Sequence, residues 1–128
     1  MILSGRTINP GDVKGEAIVS RTPLSFYGGV DPKTGMIIEK GHELEGRCVS
    51  GKVLVFPSGK GSTVGSYVIY GLKKNGAAPK AIVNRETETI VATGTILADI
   101  PCIDGIDVDK IRDGCMITVN SREGYVDV

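Results

Sequence analysis

The stretch that decides the fold is Val53-Leu54-Val55-Phe56-Pro57-Ser58-Gly59-Lys60-Gly61-Ser62-Thr63-Val64-Gly65-Ser66-Tyr67. It begins with an apolar run typical of a buried β-strand and continues through a loop rich in glycine and serine. It then enters a helical pattern. A helix start presents free backbone N–H groups and the positive end of the helix dipole, which favour an anion or a developing alkoxide.

Two side chains of this loop carry candidate chemistry. Lys60 supplies a cation and Ser62 supplies a hydroxyl. A serine hydroxyl becomes a useful base only when its alkoxide is stabilised, and a lysine with nearby N–H groups can do this. The alternative is that Ser62 only caps the helix that follows, which is a common role of serine. The residues by themselves leave both interpretations open.

The chain after this loop predicts the order strand–helix–strand–helix–strand with parallel pairing and right-handed crossovers. The first helix is predicted to start from a cap at Ser62 or Thr63 and to stop at Asn75-Gly76, with an inward face of Val64, Tyr67, Val68, Gly71 and Leu72. The second is predicted to start from a cap at Thr87, with an inward face of Ile90, Val91, Gly94, Leu97 and Ala98. Short strands are predicted at 79–84 and 101–103, and a final hairpin at 115–120 and 125–128.

The first half of the chain is harder to assign. Strands at 1–11 and 15–20 are predicted to be antiparallel neighbours, and weak strands are expected at 36–38 and 47–49. Between them lies a turn-rich segment, Arg21–Gly35, whose apolar residues predict packing against the chain's own core or against a partner. The only histidine, His42, stands in a polar turn and is predicted to be a surface residue.

Composition excludes several classes of function. Fifteen basic and fifteen acidic residues cancel, and there is no Trp, so nothing indicates binding to nucleic acid or to a membrane surface. Three separated cysteines without a CxxC pair predict reduced thiols in a cytoplasmic protein and no metal site in this chain. The glycine-rich loop lacks the GxxxxGK[ST] pattern of a P-loop and the GxGxxG fingerprint of a dinucleotide site.

Three segments resemble the small subunit of the aconitase X family: SFYGGVDPKTG (25–35), FPSGKGSTVGSY (56–67) and APKAIVN (78–84). The similarity extends from the first strand to about Ile103, and no motif of the family is evident after it. The resemblance implies the swivelling β/β/α domain of aconitases. We therefore expect an α+β, β-rich fold with about two helices, in a single domain over residues 1–128.

The same resemblance implies a hydro-lyase that is active only with a separate large, aconitase-like subunit. That subunit is expected to carry an iron–sulfur cluster, and this chain is expected to bind no cofactor. Ser62 falls on the serine base of the family and would act as the proton acceptor. Lys60 and the N–H groups around Gly59, Gly61 and Thr63 would stabilise its alkoxide or bind a carboxylate or phosphate of the substrate.

The resemblance also implies a substrate, a small phosphorylated hydroxy acid. The expected reaction is dehydration of (R)-5-phosphomevalonate to anhydromevalonate phosphate in an archaeal-type mevalonate pathway of isoprenoid synthesis. The pair Gly28-Gly29 is expected at the subunit contact or at the rim of the cleft. Two alternatives remain: another dehydratase of the family, such as one acting on a hydroxyproline, or a non-catalytic binding domain with the same fold.

Overall fold

The computed structural model describes residues 1–128 and contains ten strands, two α-helices and one 3-10 turn. In chain order the elements are β1 (Ile2–Ser4), β2 (Arg6–Asn9), β3 (Asp12–Val19), β4 (Leu24–Ser25), β5 (Val53–Phe56), β6 (Gly59–Lys60), α1 (Gly65–Lys74), β7 (Ala81–Asn84), α2 (Thr89–Ala98), β8 (Cys102–Asp104), the 3-10 turn (Val108–Lys110), β9 (Met116–Asn120) and β10 (Tyr125–Asp127). No helix is long and apolar enough to cross a membrane.

Eight strands form one mixed sheet in the order β1-β10-β9-β3-β5-β7-β8-β2. Its centre is parallel: β3 pairs with β5, β5 with β7, and β7 with β8. The helices α1 and α2 make the two crossovers, which confirms the predicted strand–helix–strand–helix–strand order. The predicted C-terminal hairpin is also confirmed, because β9 and β10 pair antiparallel with Tyr125 opposite Asn120.

The central strands separate two hydrophobic cores. On β5, the side chains of Leu54 and Phe56 belong to the core under the helices, and those of Val53 and Val55 belong to the core on the opposite face. All four are fully buried, as expected for a parallel strand covered on both faces. This arrangement agrees with the predicted β-rich α+β class with two helices.

The predicted antiparallel pairing of the first strands is wrong. The segment 1–11 holds two strands, β1 and β2, which lie at opposite edges of the sheet, and β2 pairs with β8 rather than with β3. The side-chain amide of Asn9 donates to the carbonyl of Ile100 at 3.0 Å, which holds β2 beside the end of α2. The break falls at Gly5, where an added Cβ would lie 2.2 Å from the carbonyl oxygen of Asp104.

The segment between β4 and β5 is less regular than predicted. The expected strands at 36–38 and 47–49 are reduced to isolated bridges that pair Val30 with Ile37 and Met36 with Cys48. Three of the four apolar side chains of Arg21–Gly35 that were candidates for a partner are buried in the chain's own core: Leu24, Phe26 and Val30. Tyr27 is the exception and is exposed.

His42 is not the predicted surface residue, since only 8% of it is exposed. Its Nδ1 accepts the N–H of Leu44 at 3.0 Å, and its Nε2 lies 3.1 Å from the carbonyl oxygen of Pro23. These partners on both sides of the ring offset the cost of burying it. His42 therefore fastens the turn at residues 39–45 to the start of β4.

The helices start later than predicted and show different faces to the core. Neither Ser62 nor Thr63 caps α1, whose N-cap position is Val64 without a side-chain cap. The buried face of α1 is Gly65, Ser66, Ile69 and Leu72, and Tyr67 is 68% exposed. The reason lies in the tertiary packing, because Ile69 of α1 packs closely against Gly94 of α2. A Cβ added to Gly94 would lie 2.6 Å from the Cδ1 atom of Ile69. The predicted stop at Asn75-Gly76 is confirmed, because Gly76 has φ +69° after the last turn.

The start of α2 also differs by one residue. Glu88, not Thr87, is the N-cap, and its carboxylate accepts the N–H groups of Ile90 and Val91 at 2.9 Å each. Thr87 instead donates its hydroxyl to the side chain of Asn84. Of the predicted inward face, Val91, Gly94 and Ala98 are buried, whereas Ile90 is half-buried and Leu97 is 54% exposed. Thr95, which was not predicted, is buried.

Candidate active site

The loop that joins β5 to α1 lies at the carboxyl end of the parallel strands, where α/β sheets commonly bind ligands. The carbonyl of Pro57 accepts the N–H groups of Arg85 and Glu86, and the carbonyl of Ser58 accepts that of Leu24. Residues 59–60 then form β6, which pairs in parallel with β4. The first part of the loop is therefore held by neighbouring strand ends, and residues 61–64 extend from this support into solvent.

Gly61 makes the turn that exposes the loop. Its φ is +90°, which side chains disfavour, and an added Cβ would lie 2.6 Å from the hydroxyl of Ser25. After this turn, the backbone N–H groups of Gly61, Ser62 and Thr63 donate to no group within the chain. Three consecutive exposed donors of this kind are suited to an oxyanion or to the oxygen atoms of a phosphate.

Ser62 is exposed, and its hydroxyl has one partner within the chain. The Oγ atom accepts the N–H of Val64 at 3.2 Å, and the carbonyl of Ser62 accepts the N–H of Gly65 at 2.9 Å. The hydroxyl proton is therefore not committed to any acceptor in the chain. A hydroxyl oxygen that receives an N–H bond and faces solvent is placed to act as a base toward a bound molecule.

Lys60 is not the free cation that the sequence suggests. Its Nζ forms an ion pair with Glu39 Oε2 at 2.8 Å, and Glu39 Oε1 accepts the N–H of Ser25 at 2.9 Å. Burial of the Glu39 carboxyl raises its pKa, but the bonds from Lys60 and Ser25 and the charge of Lys60 outweigh this effect. The net pKa of Glu39 is lowered, so this group is a carboxylate at neutral pH.

The other glycines predicted at the site lie in different surroundings. Gly28 has φ +78° and open space around it, so it can meet a partner. Gly29 is buried, and its carbonyl accepts the N–H groups of Ile38 and Glu39. Gly59 faces α2, since an added Cβ would lie 2.4 Å from Glu88 Oε1.

Of the residues predicted for the site, the structure therefore brings Gly61, Ser62 and Thr63 together in one exposed turn. Lys60 comes just before this turn and is bound to Glu39. Sequence reasoning missed Glu39, because its role depends on a long loop folding back across β4, and no local pattern marks it. The charged residues around it in the sequence resemble an ordinary solvent-exposed turn.

The cysteines are not arranged to hold an iron–sulfur cluster. Burial raises the pKa of the Cys102 thiol to about 12, so it does not supply a thiolate. Cys48 and Cys115 donate to the carbonyls of Thr34 and Arg112 in separate parts of the fold. No group of three or more His, Cys, Asp or Glu side chains could hold a metal ion. The residues of this chain thus do not fit such a cluster.

Comparisons with known proteins agree with the resemblance and extend it. The chain is 60% identical to the phosphomevalonate dehydratase small subunit of Thermococcus sibiricus, over 100% of this chain and 98% of that protein. It is 55% identical to the phosphomevalonate dehydratase small subunit of Methanosarcina acetivorans, over 98% of this chain and 90% of that protein. The crystal structure of Thermococcus kodakaraensis aconitase X in its holo-form is 56% identical, with a TM-score of 0.98 over 99% of this chain and 97% of that chain.

The family model of the aconitase X swivel domain matches residues 2–128. The similarity therefore includes the segment after Ile103, where the sequence alone showed no motif. The family match and the structural likeness confirm the swivelling domain that the resemblance implied. This chain belongs to the aconitase X swivel-domain family.

Proposed function

We propose that this chain is the small subunit of a phosphomevalonate dehydratase, a hydro-lyase that works only together with a large subunit. The names of relatives at 52–60% identity over nearly the whole chain support this proposal. The observation that carries it on this molecule is the exposed turn at residues 61–63. There, an uncommitted serine hydroxyl stands beside three backbone N–H groups without partners.

In this proposal, Ser62 is the base of the dehydration. Its alkoxide takes the proton from the carbon adjacent to the one that bears the leaving hydroxyl. The electron pair of the broken C–H bond forms the new C=C bond, and the hydroxyl takes a proton from an acid of the large subunit or from water and departs as water. The proton taken up by Ser62 then returns to solvent, which restores the base. A serine hydroxyl has far too high a pKa to be ionised in water, so the site has to stabilise the alkoxide.

The three N–H groups and Lys60 supply positive charge for that purpose. The N–H groups of Gly61, Ser62 and Thr63 are fixed by the backbone and need no reorganisation when an anion arrives. They suit either the alkoxide or a carboxylate or phosphate of (R)-5-phosphomevalonate. Lys60 precedes them in the chain and adds positive charge, part of which its ion pair with Glu39 offsets. This charge strengthens both kinds of interaction.

The proposal assigns the remaining parts of the enzyme to the large subunit. This includes the iron–sulfur cluster, for which this chain has no suitable ligands. Gly28 and Tyr27 are exposed beside the serine loop and are the proposed contacts with that subunit. We place the assembled enzyme in the cytoplasm, where thiols such as those of Cys48 and Cys115 stay reduced.

The test is reconstitution with the large subunit of the same enzyme. We expect the complex to convert (R)-5-phosphomevalonate to the anhydro product, observed by NMR as a new alkene signal, while each subunit alone gives none. Hydroxyproline in the same assay is the substrate control and separates this activity from that of another dehydratase of the family. Turnover by this chain alone, or turnover of hydroxyproline but not of phosphomevalonate, would refute the proposal.

A further inference from the structure

Glu39 lies where the two glycine-rich motifs of the chain meet, and the proposed reaction does not use it. Its side chain is 19% exposed and contacts both motifs. One carboxylate oxygen lies 2.8 Å from Lys60 Nζ, and the other accepts the N–H of Ser25 at 2.9 Å. The backbone N–H of Glu39 donates to the carbonyl of Gly29 at 3.2 Å. Glu39 therefore ties β4, β6 and the turn at residues 28–29 to one another.

The space for this carboxylate is made by a missing side chain. A Cβ at position 29 would lie 3.1 Å from Glu39 Oε1 and 1.8 Å from the carbonyl oxygen of Ser25. Any residue other than glycine there would displace the carboxylate or the backbone of β4. The position of Glu39 thus depends on contacts from three separate segments, which distinguishes it from an ordinary surface ion pair.

We propose that Glu39 is a positioning residue for the dehydration, which fixes the ammonium group of Lys60, the residue two positions before Ser62 in the chain. This inference rests on the proposed function, in which Lys60 stabilises the alkoxide of Ser62 or an anionic group of the substrate. A free lysine side chain has several rotatable bonds and loses their freedom when it is fixed. Because Glu39 fixes it before the substrate arrives, this entropy is not lost during the reaction.

The carboxylate has a second effect, which makes the proposal testable. It offsets part of the Lys60 charge, so its removal leaves that lysine at least as attractive to an anion in the ground state. The same removal leaves the ammonium group mobile, which weakens its contribution to the transition state. Loss of the carboxylate should therefore lower kcat without raising KM. General damage to the loop would not produce this pattern.

The experiment uses the reconstituted two-subunit enzyme and a double-mutant cycle. Glu39→Gln keeps the size of the side chain and an oxygen for the Ser25 N–H, so the variant is expected to fold and assemble. We expect kcat to fall about tenfold with KM unchanged or lower, since misplacement of a catalytic group by about 1 Å costs up to about a hundredfold. In a Lys60→Met background, Glu39→Gln should change kcat less than about twofold, because the group it positions is gone.

The matched control is Glu43→Gln. Glu43 is a carboxylate of the same turn and accepts the N–H groups of Arg21 and Thr22 and the hydroxyl of Ser20, but it does not contact Lys60. We expect this variant to lose thermal stability and to keep kcat within about twofold of the wild type. A loss of kcat in Glu43→Gln as large as in Glu39→Gln would overturn the proposal.

The remaining outcomes separate this inference from the proposed function. If Ser62→Ala and Lys60→Met lose turnover while Glu39→Gln keeps kcat within twofold of the wild type, only the positioning role fails. An equal loss from Glu39→Gln in both backgrounds also overturns it. If Ser62→Ala and Lys60→Met both keep wild-type turnover, the chemistry proposed for the serine turn fails, and the role of Glu39 fails with it.

Discussion

The two helices of this domain begin in opposite ways. At the start of α2, the carboxylate of Glu88 accepts the N–H groups of Ile90 and Val91, so the chain supplies its own anion. Before α1, the N–H groups of residues 61–63 have no partner within the chain, and the only side-chain acceptor is the hydroxyl of Ser62, which receives the Val64 N–H. The two starts lie side by side, because a Cβ added at Gly65, the first residue of α1, would lie 3.1 Å from Ile90 Cγ2 at the start of α2.

This difference supports the proposed division of roles, with a structural start at α2 and a functional turn before α1. A capped N-terminus has its donors satisfied and its dipole partly neutralised, so it has little affinity for an outside anion. At the start of α1, the N–H groups of residues 64–67 are also bonded within the chain. The free donors are those of residues 61–63 in the turn before the helix, and a ligand that binds them can add stability. We therefore assign α2 to holding the fold and the turn before α1 to the chemistry. Three predictions test this contrast, and a fourth concerns the carboxylate that holds Lys60.

The largest expected effect is that of Ser62→Ala on turnover. Removal of a positioned proton acceptor should lower kcat of the reconstituted enzyme about a hundredfold to ten-thousandfold. The free energy of unfolding should change by only about 0.5 kcal/mol, because the single lost hydrogen bond is exposed. Steady-state kinetics and thermal melting of the same preparation measure both quantities. A stable complex with near wild-type turnover would return Ser62 to a structural role.

The second prediction concerns backbone amide exchange in the isolated chain. The amides of Gly61, Ser62 and Thr63 should exchange with deuterium about as fast as in an unfolded peptide, whereas those of Ile90 and Val91 should be protected by Glu88. Assembly with the large subunit and an anionic product should slow exchange at 61–63 and leave the α2 amides unchanged. Protection at 61–63 in the isolated chain would show that these donors are already satisfied.

The third prediction is the reverse of the first. Glu88→Ala removes the cap of α2 and should lower the free energy of unfolding by about 0.5–2 kcal/mol, measured by denaturant titration. Because Glu88 belongs to the structural helix start, kcat well below the melting temperature should stay within about twofold of the wild type. If Glu88→Ala lost most of its turnover and little of its stability, the structural role assigned to the start of α2 would be wrong.

The smallest expected effect is a loss of stability in acid. The pKa of Glu39 is lowered in the folded chain, so its contribution is complete above the ordinary value of 4.5 and is lost as the pH falls through the folded value. The pKa of Glu43 is lowered too: burial raises it, but the hydrogen bonds from Arg21, Ser20 and Thr22 outweigh that effect. Below about pH 4.5, the melting temperature of Glu39→Gln should therefore fall less steeply than that of the wild type. If the melting temperatures of the variant and the wild type fall equally with pH, protonation of Glu39 does not contribute to the loss of stability.

The central part of the fold was predictable because its signals are local. A buried strand such as Val53–Phe56 shows a short apolar run, and a glycine stop such as Gly76 needs a positive φ that the residue type reveals. The serine turn was identified for a similar reason, since glycine, serine and lysine followed by a helical pattern predict an exposed helix start. The sequence of this turn did not predict the ion pair of Lys60, because its partner, Glu39, lies in a distant turn.

The faces of the helices show where local patterns fail. Both Tyr67 and Leu97 fit an apolar stripe, yet both are exposed, because the close contact of Ile69 with Gly94 decides how α1 and α2 turn toward each other. For His42 the prediction fails in the opposite sense. Its polar neighbours suggest exposure, but the ring is buried with Nδ1 bound by the nearby Leu44 N–H and Nε2 beside the distant carbonyl of Pro23. Burial depends on such partners, which the sequence does not display.

By itself, the sequence determined the parallel strands, the number of helices and the place of the exposed glycine- and serine-rich turn, because these follow from residue periodicity and from the backbone freedom of glycine. Only the tertiary structure decided which strand edge β2 occupies, which face each helix buries and which carboxylate holds Lys60. Each of these depends on contacts between segments far apart in the chain. Such contacts form only when the whole core packs, since packing density and hydrogen-bond satisfaction apply to the fold as a whole and not to any single stretch.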